Sequence, residues 1–130
     1  IDMTEKVNKI VQIDDIITGL KRVGIDMIPV ICGGSERLRQ EREQWMCGAN
    51  YFTIAPGKAI GYGRNTRTFE QLEKVANMPR IEAIDIISGK INLADYDRYA
   101  IAISGAELSR GGGGARCMTM PIQRDEVDFI

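Results

Sequence analysis

The sequence predicts a mixed α/β fold. Over its 130 residues, short apolar runs of strand length alternate with segments whose apolar residues recur at helical spacing. Turn-forming residues such as Pro56-Gly57 separate these segments. Hydrophobic residues make up 44% of the chain and charged residues 27%, which is typical of a globular domain. No linker, repeat or low-complexity run divides residues 1–130, so we expect a single domain.

The first predicted elements are a strand at Asn8–Ile13 and a helix at Asp14–Val23. Asp14 or Asp15 suits the N-cap of the helix, and Gly24 suits its end. The side chains that recur at helical spacing are Ile13, Ile16, Leu20 and Val23.

Two further elements precede the middle of the chain. Met27–Cys32 is a short apolar run that predicts a buried strand, and Gly33-Gly34-Ser35 ends it. Glu36–Trp45 is highly charged and is compatible with either a short helix or an ordered loop.

The middle of the chain predicts a hairpin followed by a helix. Asn50–Ala55 and Lys58–Tyr62 have the pattern of two strands joined by a Pro-Gly turn. The helix Phe69–Ala76 follows, and Thr68 and Gln71 have the spacing of a capping box.

Three more strands are predicted, at Ile81–Ile87, Tyr99–Ser104 and Arg116–Ile122. The first completes a strand–strand–helix–strand unit. In the last, Met118, Met120 and Ile122 would face the core and Cys117 the opposite side. Asp95-Tyr96-Asp97 resembles a loop carboxylate pair, although a solvated turn has the same pattern.

The charge balance argues against a protein that binds polyanions. The net charge is −1, and no part of the sequence concentrates Lys and Arg. No apolar run approaches the roughly 18–20 residues of a membrane span, and Ile1–Lys6 does not resemble a signal peptide. We therefore expect no nucleic-acid partner, no membrane association and a soluble, cytoplasmic chain.

The chain contains three cysteines, Cys32, Cys47 and Cys117, and no histidine. An odd number without CxxC pairs does not suit a disulfide framework, and a structural zinc site normally needs four ligands. We therefore expect no metal and interpret Cys32 and Cys47 as structural. Cysteine-based catalysis often uses a histidine as general acid or base, so it would require a histidine from outside this chain or a different base.

The most unusual segment is Ser109–Pro121, in which four glycines, Gly111–Gly114, precede Cys117. Glycine allows positive φ and close approach of a ligand. Arg110 and Arg116 flank the loop and would lower the pKa of the Cys117 thiol, which favours a nucleophilic thiolate. The alternatives are that Cys117 fills the core, or that the loop binds phosphate although it lacks the GxxxxGK[ST] pattern.

Three sequence blocks in a fixed order resemble the arginine deiminase family. Glu107–Pro121 resembles its C-terminal signature. Arg42–Trp45 with Gly48–Asn50 is similar to its REQW…GxN block, and Ala55–Gly57 with Tyr62–Thr66 is similar to its APG…YxRN block. The resemblance extends from about residue 31 to residue 125.

The resemblance implies a fivefold, pentein-like α/β propeller built from ββαβ modules. A chain of 130 residues would hold roughly two modules, so residues 1–130 would be a single partial domain, the C-terminal segment of the catalytic domain. Such a segment is expected to pair with the missing N-terminal part of the same polypeptide or with another copy of itself.

The chemistry that the resemblance implies is hydrolysis of L-arginine to L-citrulline and ammonia. By motif match, Cys117 is the nucleophile and forms a covalent thiouronium intermediate. A histidine and two carboxylates that grip the guanidinium group would lie upstream, in segments absent from this sequence. Neither a metal nor an organic cofactor is implied, and the segment alone is expected to be inactive.

One position departs from the family pattern. Many members read RGRGG before the cysteine, and the second arginine helps bind the substrate carboxylate, whereas here Gly112 stands in its place. Either Arg110 or Arg116 binds the carboxylate, with Gly112 and Gly113 in the substrate-binding loop, or the substrate is a different guanidine such as agmatine or a protein-bound arginine. An amidinotransferase and a non-catalytic interaction module remain alternative functions.

Overall fold

The computed structural model describes residues 12–126 as a four-stranded sheet with helices on both faces. The helices are α1 Ile16–Arg22, α2 Arg37–Trp45, α3 Thr66–Ala76 and α4 Ala83–Ile87. The strands are β1 Phe52–Ala55, β2 Lys58–Tyr62, β3 Arg80–Glu82 and β4 Tyr99–Ile103. Two 3-10 turns span Leu93–Asp95 and Leu108–Gly111. The predicted mixed α/β class is confirmed, whereas the strand predicted at Asn8–Ile13 lies largely outside the described residues.

The strands are ordered β1-β2-β4-β3 across the sheet. β1 and β2 form the predicted antiparallel hairpin, and its turn contains Gly57 at a φ of +72°. β4 lies parallel to both β2 and β3, so α3 and α4 act as the crossover connections that parallel strands require. The carboxyl ends of β2, β3 and β4 therefore share one edge of the sheet, where α/β proteins commonly bind ligands.

Alternate residues of β4 contribute to two separate cores. On one face, Ala100 and Ala102 pack with Ala59 and with Phe69 of α3. On the other face, Tyr99 and Ile101 pack with Ile81 and the flanking Ile86 of α4. Because the sheet carries small alanines on the first face, the large Phe69 ring is almost completely buried there.

The predicted N-terminal helix is confirmed as α1. Asp15 is its N-cap and accepts a hydrogen bond from the backbone N–H of Thr18 at 2.9 Å. Gly24, at a φ of +83°, follows its end. For Glu36–Trp45, the structure selects the helix, α2, over the ordered loop.

Two predicted strands are wrong. Met27–Cys32 forms no strand, and the side chains of Met27 and Ile28 are 54% and 78% exposed. Pro29 interrupts this run and has no N–H to donate to a neighbouring strand. Arg116–Ile122 forms a turn and irregular chain, with Ile122 92% exposed. Its first backbone groups bond locally rather than to a strand, so the methionine face is not part of the core.

Two other boundaries differ from the prediction. The strand expected at Ile81–Ile87 ends at Glu82, and Ala83–Ile87 is helical, because a short apolar run does not distinguish a strand from a helix. The helix α3 begins at Thr66, so Thr68 lies within its first turn and does not cap it. The capping box predicted for Thr68 is therefore wrong.

Candidate active site

The side chain of Cys117 is exposed, on a turn that follows the glycine-rich loop. Its backbone N–H donates to the carbonyl oxygen of Gly114 at 3.1 Å, which closes the turn. Cys117 is therefore not a buried residue that fills the core. Cys32 and Cys47 are both less exposed.

The glycines of the loop meet different requirements. Gly112 and Gly113 have φ values of +79° and +86°, which glycine adopts readily and other residues rarely do. A Cβ on Gly114 would lie 2.5 Å from the Cβ of Asn50 and 2.7 Å from its carbonyl oxygen. Gly111 has open space around it. Conformation thus requires glycine at two positions, and close packing requires it at a third.

Asn50 links the loop between α2 and β1 to the turn that carries Cys117. Its side-chain Oδ1 accepts a hydrogen bond from the backbone N–H of Arg116 at 3.1 Å. Its Nδ2 donates to the Sγ of Cys117 at 3.0 Å. One carboxamide therefore contacts two consecutive residues of the turn.

These contacts affect the ionisation of the thiol. A backbone hydrogen bond from Gly114 and a side-chain hydrogen bond from Asn50 chiefly lower the pKa of Cys117. Desolvation opposes them, and the positive charge of Arg116 lowers the pKa by a smaller amount. Cys32 behaves in the opposite way, since burial chiefly raises the pKa of its thiol. The arrangement therefore favours a thiolate at Cys117.

The turn that carries Cys117 lies near the carboxyl edge of the sheet. The hydroxyl group of Tyr62, the last residue of β2, donates to the Sδ of Met118 at 3.6 Å. At the start of the loop, the buried Ser109 donates to the Sδ of Met46 at 3.3 Å. The loop is thus attached at both of its ends to residues that precede it by more than fifty positions.

The buried Glu43 helps to hold the segment that leads to Asn50. It accepts hydrogen bonds from the backbone N–H groups of Arg67 and Thr68 at 3.1 and 2.8 Å, in the first turn of α3. The backbone N–H of Gly48 donates to the carbonyl oxygen of Glu43 at 2.7 Å. In the same region, the side chain of Asn65 donates to the carbonyl oxygen of Met46 at 2.9 Å. The segment that ends at Asn50 is therefore attached to both α2 and the start of α3.

The two candidate arginines have different environments. Arg110 forms an exposed ion pair with Glu107, with 3.1 Å between the nitrogen and oxygen atoms. Arg116 donates to the backbone carbonyl of Thr119 at 3.2 Å, and its charge acts on Cys117. The structure therefore brings Arg116, together with Gly113, to the cysteine. Within residues 12–126, no side-chain atom approaches within 4 Å of the position that a Cβ on Gly112 would occupy.

A small crevice of about 220 Å³ also lies at the carboxyl edge of the sheet. Arg64 and Arg80 contribute positive charge to its walls, and Glu82 pairs with Arg80. Arg64, which is exposed, donates to the carbonyl oxygen of Ala106 at 2.8 Å. A larger surface groove of about 850 Å³ lies between β1 and residues 121–126, and neither Cys117 nor Asn50 lines it.

Among the residues that the structure describes, no group of three or more His, Cys, Asp or Glu side chains is arranged to hold a metal ion. None of the helices between residues 12 and 126 is long and apolar enough to cross a membrane.

Sequence reasoning did not assign roles to Asn50 and Glu43. Both residues lie in the block that resembles REQW…GxN, so the motif contains the signal for their importance. Their partners are 67 and 25 positions away, and spacing alone does not identify such contacts.

The fold and the site define an α/β domain that presents an exposed cysteine on a glycine-rich loop. Residues 2–124 match the family model described as arginine deiminase. Arginine deiminases of Streptococcus pneumoniae strains Hungary19A-6 and CGSP14 are each 38% identical to the chain over 108 residues, which is 82% of this chain and 21% of the relative. The chain belongs to the arginine deiminase family. It spans about a fifth of the length of the curated relatives it matches.

Proposed function

We propose that this chain supplies the nucleophile of an arginine deiminase that hydrolyses L-arginine to L-citrulline and ammonia. The observation that supports this most directly is Cys117, an exposed thiol with a lowered pKa at the end of a glycine-rich loop. A thiolate is the form of cysteine that attacks carbon electrophiles. Family membership favours arginine as the substrate, since the matched relatives are arginine deiminases.

The reaction requires two displacements at one carbon atom. The Cys117 thiolate attacks the guanidinium carbon, the bond from that carbon to a terminal nitrogen breaks, and ammonia leaves after that nitrogen has gained a proton. The product is a covalent thiouronium. Water then adds to the same carbon and gives up both of its protons, the carbon–sulfur bond breaks, and L-citrulline is released with the thiolate regenerated.

The proton transfers require groups that this chain does not contain. Its sequence has no histidine, and the residues around Cys117 that affect its pKa are Gly114, Asn50 and Arg116. We assign the histidine and the guanidinium-binding carboxylates to another part of the complete enzyme. The segment alone therefore does not turn over arginine, and its principal partner is the remainder of the same polypeptide.

The architecture of the complete enzyme is part of the proposal. The order β1, β2, α3, β3 agrees with one ββαβ module of a fivefold α/β propeller. In that arrangement the carboxyl edge of the sheet, with Cys117 nearby, would face the central site. The proposed enzyme is cytoplasmic, needs no cofactor and pairs this segment with other modules, including those of a second copy in a homo-oligomer.

The substrate carboxylate is assigned to Arg116. Gly112 has no side chain to contact it, and Arg110 already pairs with Glu107. Arg116 has no ion pair among the described residues and lies next to the nucleophile. A guanidinium group binds a carboxylate with well-defined geometry, so this contact would select arginine over substrates that lack the carboxylate.

A citrulline assay on the complete polypeptide tests the proposed function. The intact enzyme is expected to release citrulline and ammonia in equal amounts, and Cys117→Ala is expected to abolish both, whereas Cys47→Ala retains activity. Intact protein that produces neither compound from arginine would refute the proposal.

A second candidate substrate is agmatine, because Gly112 removes the side chain that would otherwise bind a carboxylate. The same assay with agmatine separates the two substrates. Amidino transfer is tested by adding an amine acceptor to the assay. A transferase would then consume arginine without releasing ammonia. A protein that neither deiminates nor transfers would instead be an interaction module.

A further inference from the structure

We propose that Asn50 is a positioning residue that orients the Cys117 sulfur and holds it as a hydrogen-bond acceptor. The chemical consequence of this role rests on the proposed function, whereas the geometry does not. Asn50 lies in the loop between α2 and β1, far from the glycine-rich loop in sequence, and no part of the reaction scheme above uses it.

The orientation of the Asn50 carboxamide follows from its partners. The backbone N–H of Arg116 can only donate, so the side-chain atom that faces it at 3.1 Å must be the oxygen, Oδ1. The amino group, Nδ2, then faces the Sγ of Cys117 at 3.0 Å. A flipped carboxamide would place a donor against the N–H of Arg116 and an acceptor against the sulfur. The arrangement therefore presents a donor to Cys117.

A donor at this position favours the thiolate over the thiol. The thiolate is the better acceptor, because it has a full negative charge, whereas a thiol accepts weakly. The distance of 3.0 Å is short for a nitrogen–sulfur hydrogen bond, which suits a charged acceptor. The same hydrogen bond also restricts the direction in which the sulfur points.

Asn50 is itself held in place before any substrate binds. Its backbone N–H donates to the carbonyl oxygen of Cys47 at 3.0 Å. Its Cβ and carbonyl oxygen pack against Gly114, where a larger residue would clash. The Asn50 side chain is therefore already in its bonding position when the thiolate forms, as expected of a preorganised group.

Few charged or titratable groups compete with Asn50 for the sulfur. Arg116, on the same turn, adds positive charge and acts in the same direction. Tyr62, on β2, lies close enough for the charges of Cys117 and Cys47 to act on its hydroxyl. Arg110, earlier in the loop, is paired with Glu107. The hydrogen bond from Asn50 is therefore separable by mutation from the charge of Arg116.

The test is the pH dependence of Cys117 alkylation in the full chain. Iodoacetamide is used as the probe, and peptide mass spectrometry reads Cys117 separately from Cys32 and Cys47. Asn50→Asp is the decisive variant, because it retains the acceptor for the N–H of Arg116 and replaces the donor with a negatively charged oxygen. Asn77→Asp is the matched control, since Asn77 ends α3 at the opposite edge of the sheet and is exposed.

The midpoint of the alkylation profile is expected to rise in Asn50→Ala and to rise further in Asn50→Asp, where a carboxylate faces the sulfur. At a pH below the midpoint, each unit of this rise lowers the thiolate fraction by about tenfold. Asn77→Asp is expected to match the wild type. If Asn50→Ala proves unstable in a thermal melt, Asn50→Asp alone decides. A midpoint in Asn50→Asp that coincides with the wild type would overturn the proposal.

The experiment separates this inference from the proposed function, because alkylation involves no arginine. A shifted midpoint together with a complete enzyme that makes no citrulline would refute the proposed function and support the role of Asn50. An unshifted midpoint together with normal citrulline production would refute only the role of Asn50.

Discussion

The carboxylate of Glu43 in α2 accepts a hydrogen bond from the hydroxyl of Thr68 in α3 at 2.7 Å, and Glu43 is completely buried. Glu43 also accepts from the backbone N–H of Thr68 at 2.8 Å and from that of Arg67 at 3.1 Å. These N–H groups belong to the first turn of α3, where a negative charge also interacts favourably with the helix dipole. Glu43 therefore caps the N-terminus of α3, whereas the side chain of Asn65, at the N-cap position, makes no capping hydrogen bond.

We expect Glu43→Ala to destabilise the chain by about 3 kcal/mol, because it leaves buried N–H and hydroxyl groups without their acceptor. Urea unfolding monitored by circular dichroism measures this loss. Glu41→Ala is the control, since Glu41 lies on the same helix in an exposed pair with Arg37 and should cost no more than about 0.5 kcal/mol. Equal losses in the two variants would contradict the role assigned to Glu43.

The sequence predicted those parts of the fold that depend on local signals. The hairpin of β1 and β2 followed from a Pro-Gly turn between two strand patterns, and α1 followed from its cap and its final glycine. Met27–Cys32 was misassigned because an apolar run does not reveal whether another element covers it. Met27 and Ile28, at 54% and 78% exposure, show that no element within residues 12–126 covers the first part of the run.

The same limit applies to the candidate site. The glycine run and the flanking arginines identified Cys117 as a candidate, because these features are contiguous in sequence. The hydrogen bond between Asn50 and Cys117 spans 67 positions and arises only when the sheet has brought the two loops together. Likewise, only the structure distinguishes Arg110, which pairs with Glu107, from Arg116.

Gly114→Ala should disturb the site more than Gly111→Ala. The new methyl group at position 114 would lie 2.5 Å from the Cβ of Asn50, whereas position 111 has open space. We expect a loss of about 1–3 kcal/mol for Gly114→Ala, together with slower alkylation of Cys117. Gly111→Ala should stay within about 0.5 kcal/mol of the wild type. Thermal denaturation and iodoacetamide labelling measure the two effects, and a harmless Gly114→Ala would show that the close packing is not required.

Tyr51→Phe is expected to stabilise the chain by about 1 kcal/mol. The hydroxyl of Tyr51 is buried without a hydrogen-bond partner among the described residues, and burial chiefly raises the pKa of this group. The ring would keep its edge-to-face contact with Phe69, whose centroid is 5.7 Å away. Urea unfolding provides the measurement, and Tyr96→Phe, at a half-buried residue in another part of the fold, serves as the control. A destabilised Tyr51→Phe would indicate that the hydroxyl is paired in solution.

Cys117 should be the most reactive of the three cysteines at neutral pH. Its pKa is lowered and its side chain is exposed, so its thiolate persists to a lower pH than that of Cys32, whose pKa is raised. As the pH falls through the lowered pKa, Cys117 gains a proton and its reactivity is lost. Limiting iodoacetamide with peptide mapping across a pH series checks this order. Labelling of Cys32 or Cys47 before Cys117 would contradict the assignment of the nucleophile.

Arg116→Ala should selectively weaken the preference of the complete enzyme for arginine over agmatine. Arg116 lies next to the nucleophile, and its guanidinium donates only to the backbone carbonyl of Thr119 among the described residues, so it can contact a substrate carboxylate. Loss of that contact should lower kcat/KM for arginine by roughly tenfold to a hundredfold relative to agmatine. Removing its charge also raises the pKa of Cys117, but that effect slows both substrates alike. The ratio of the two kcat/KM values therefore isolates the carboxylate contact. Arg110→Ala is the matched control, because Arg110 is engaged by Glu107 and should leave the ratio unchanged. A changed ratio in Arg110→Ala alone would indicate that Arg110 binds the substrate carboxylate. An unchanged ratio in both variants would indicate that the residue that binds the carboxylate lies outside this chain, or that the substrate has no free carboxylate.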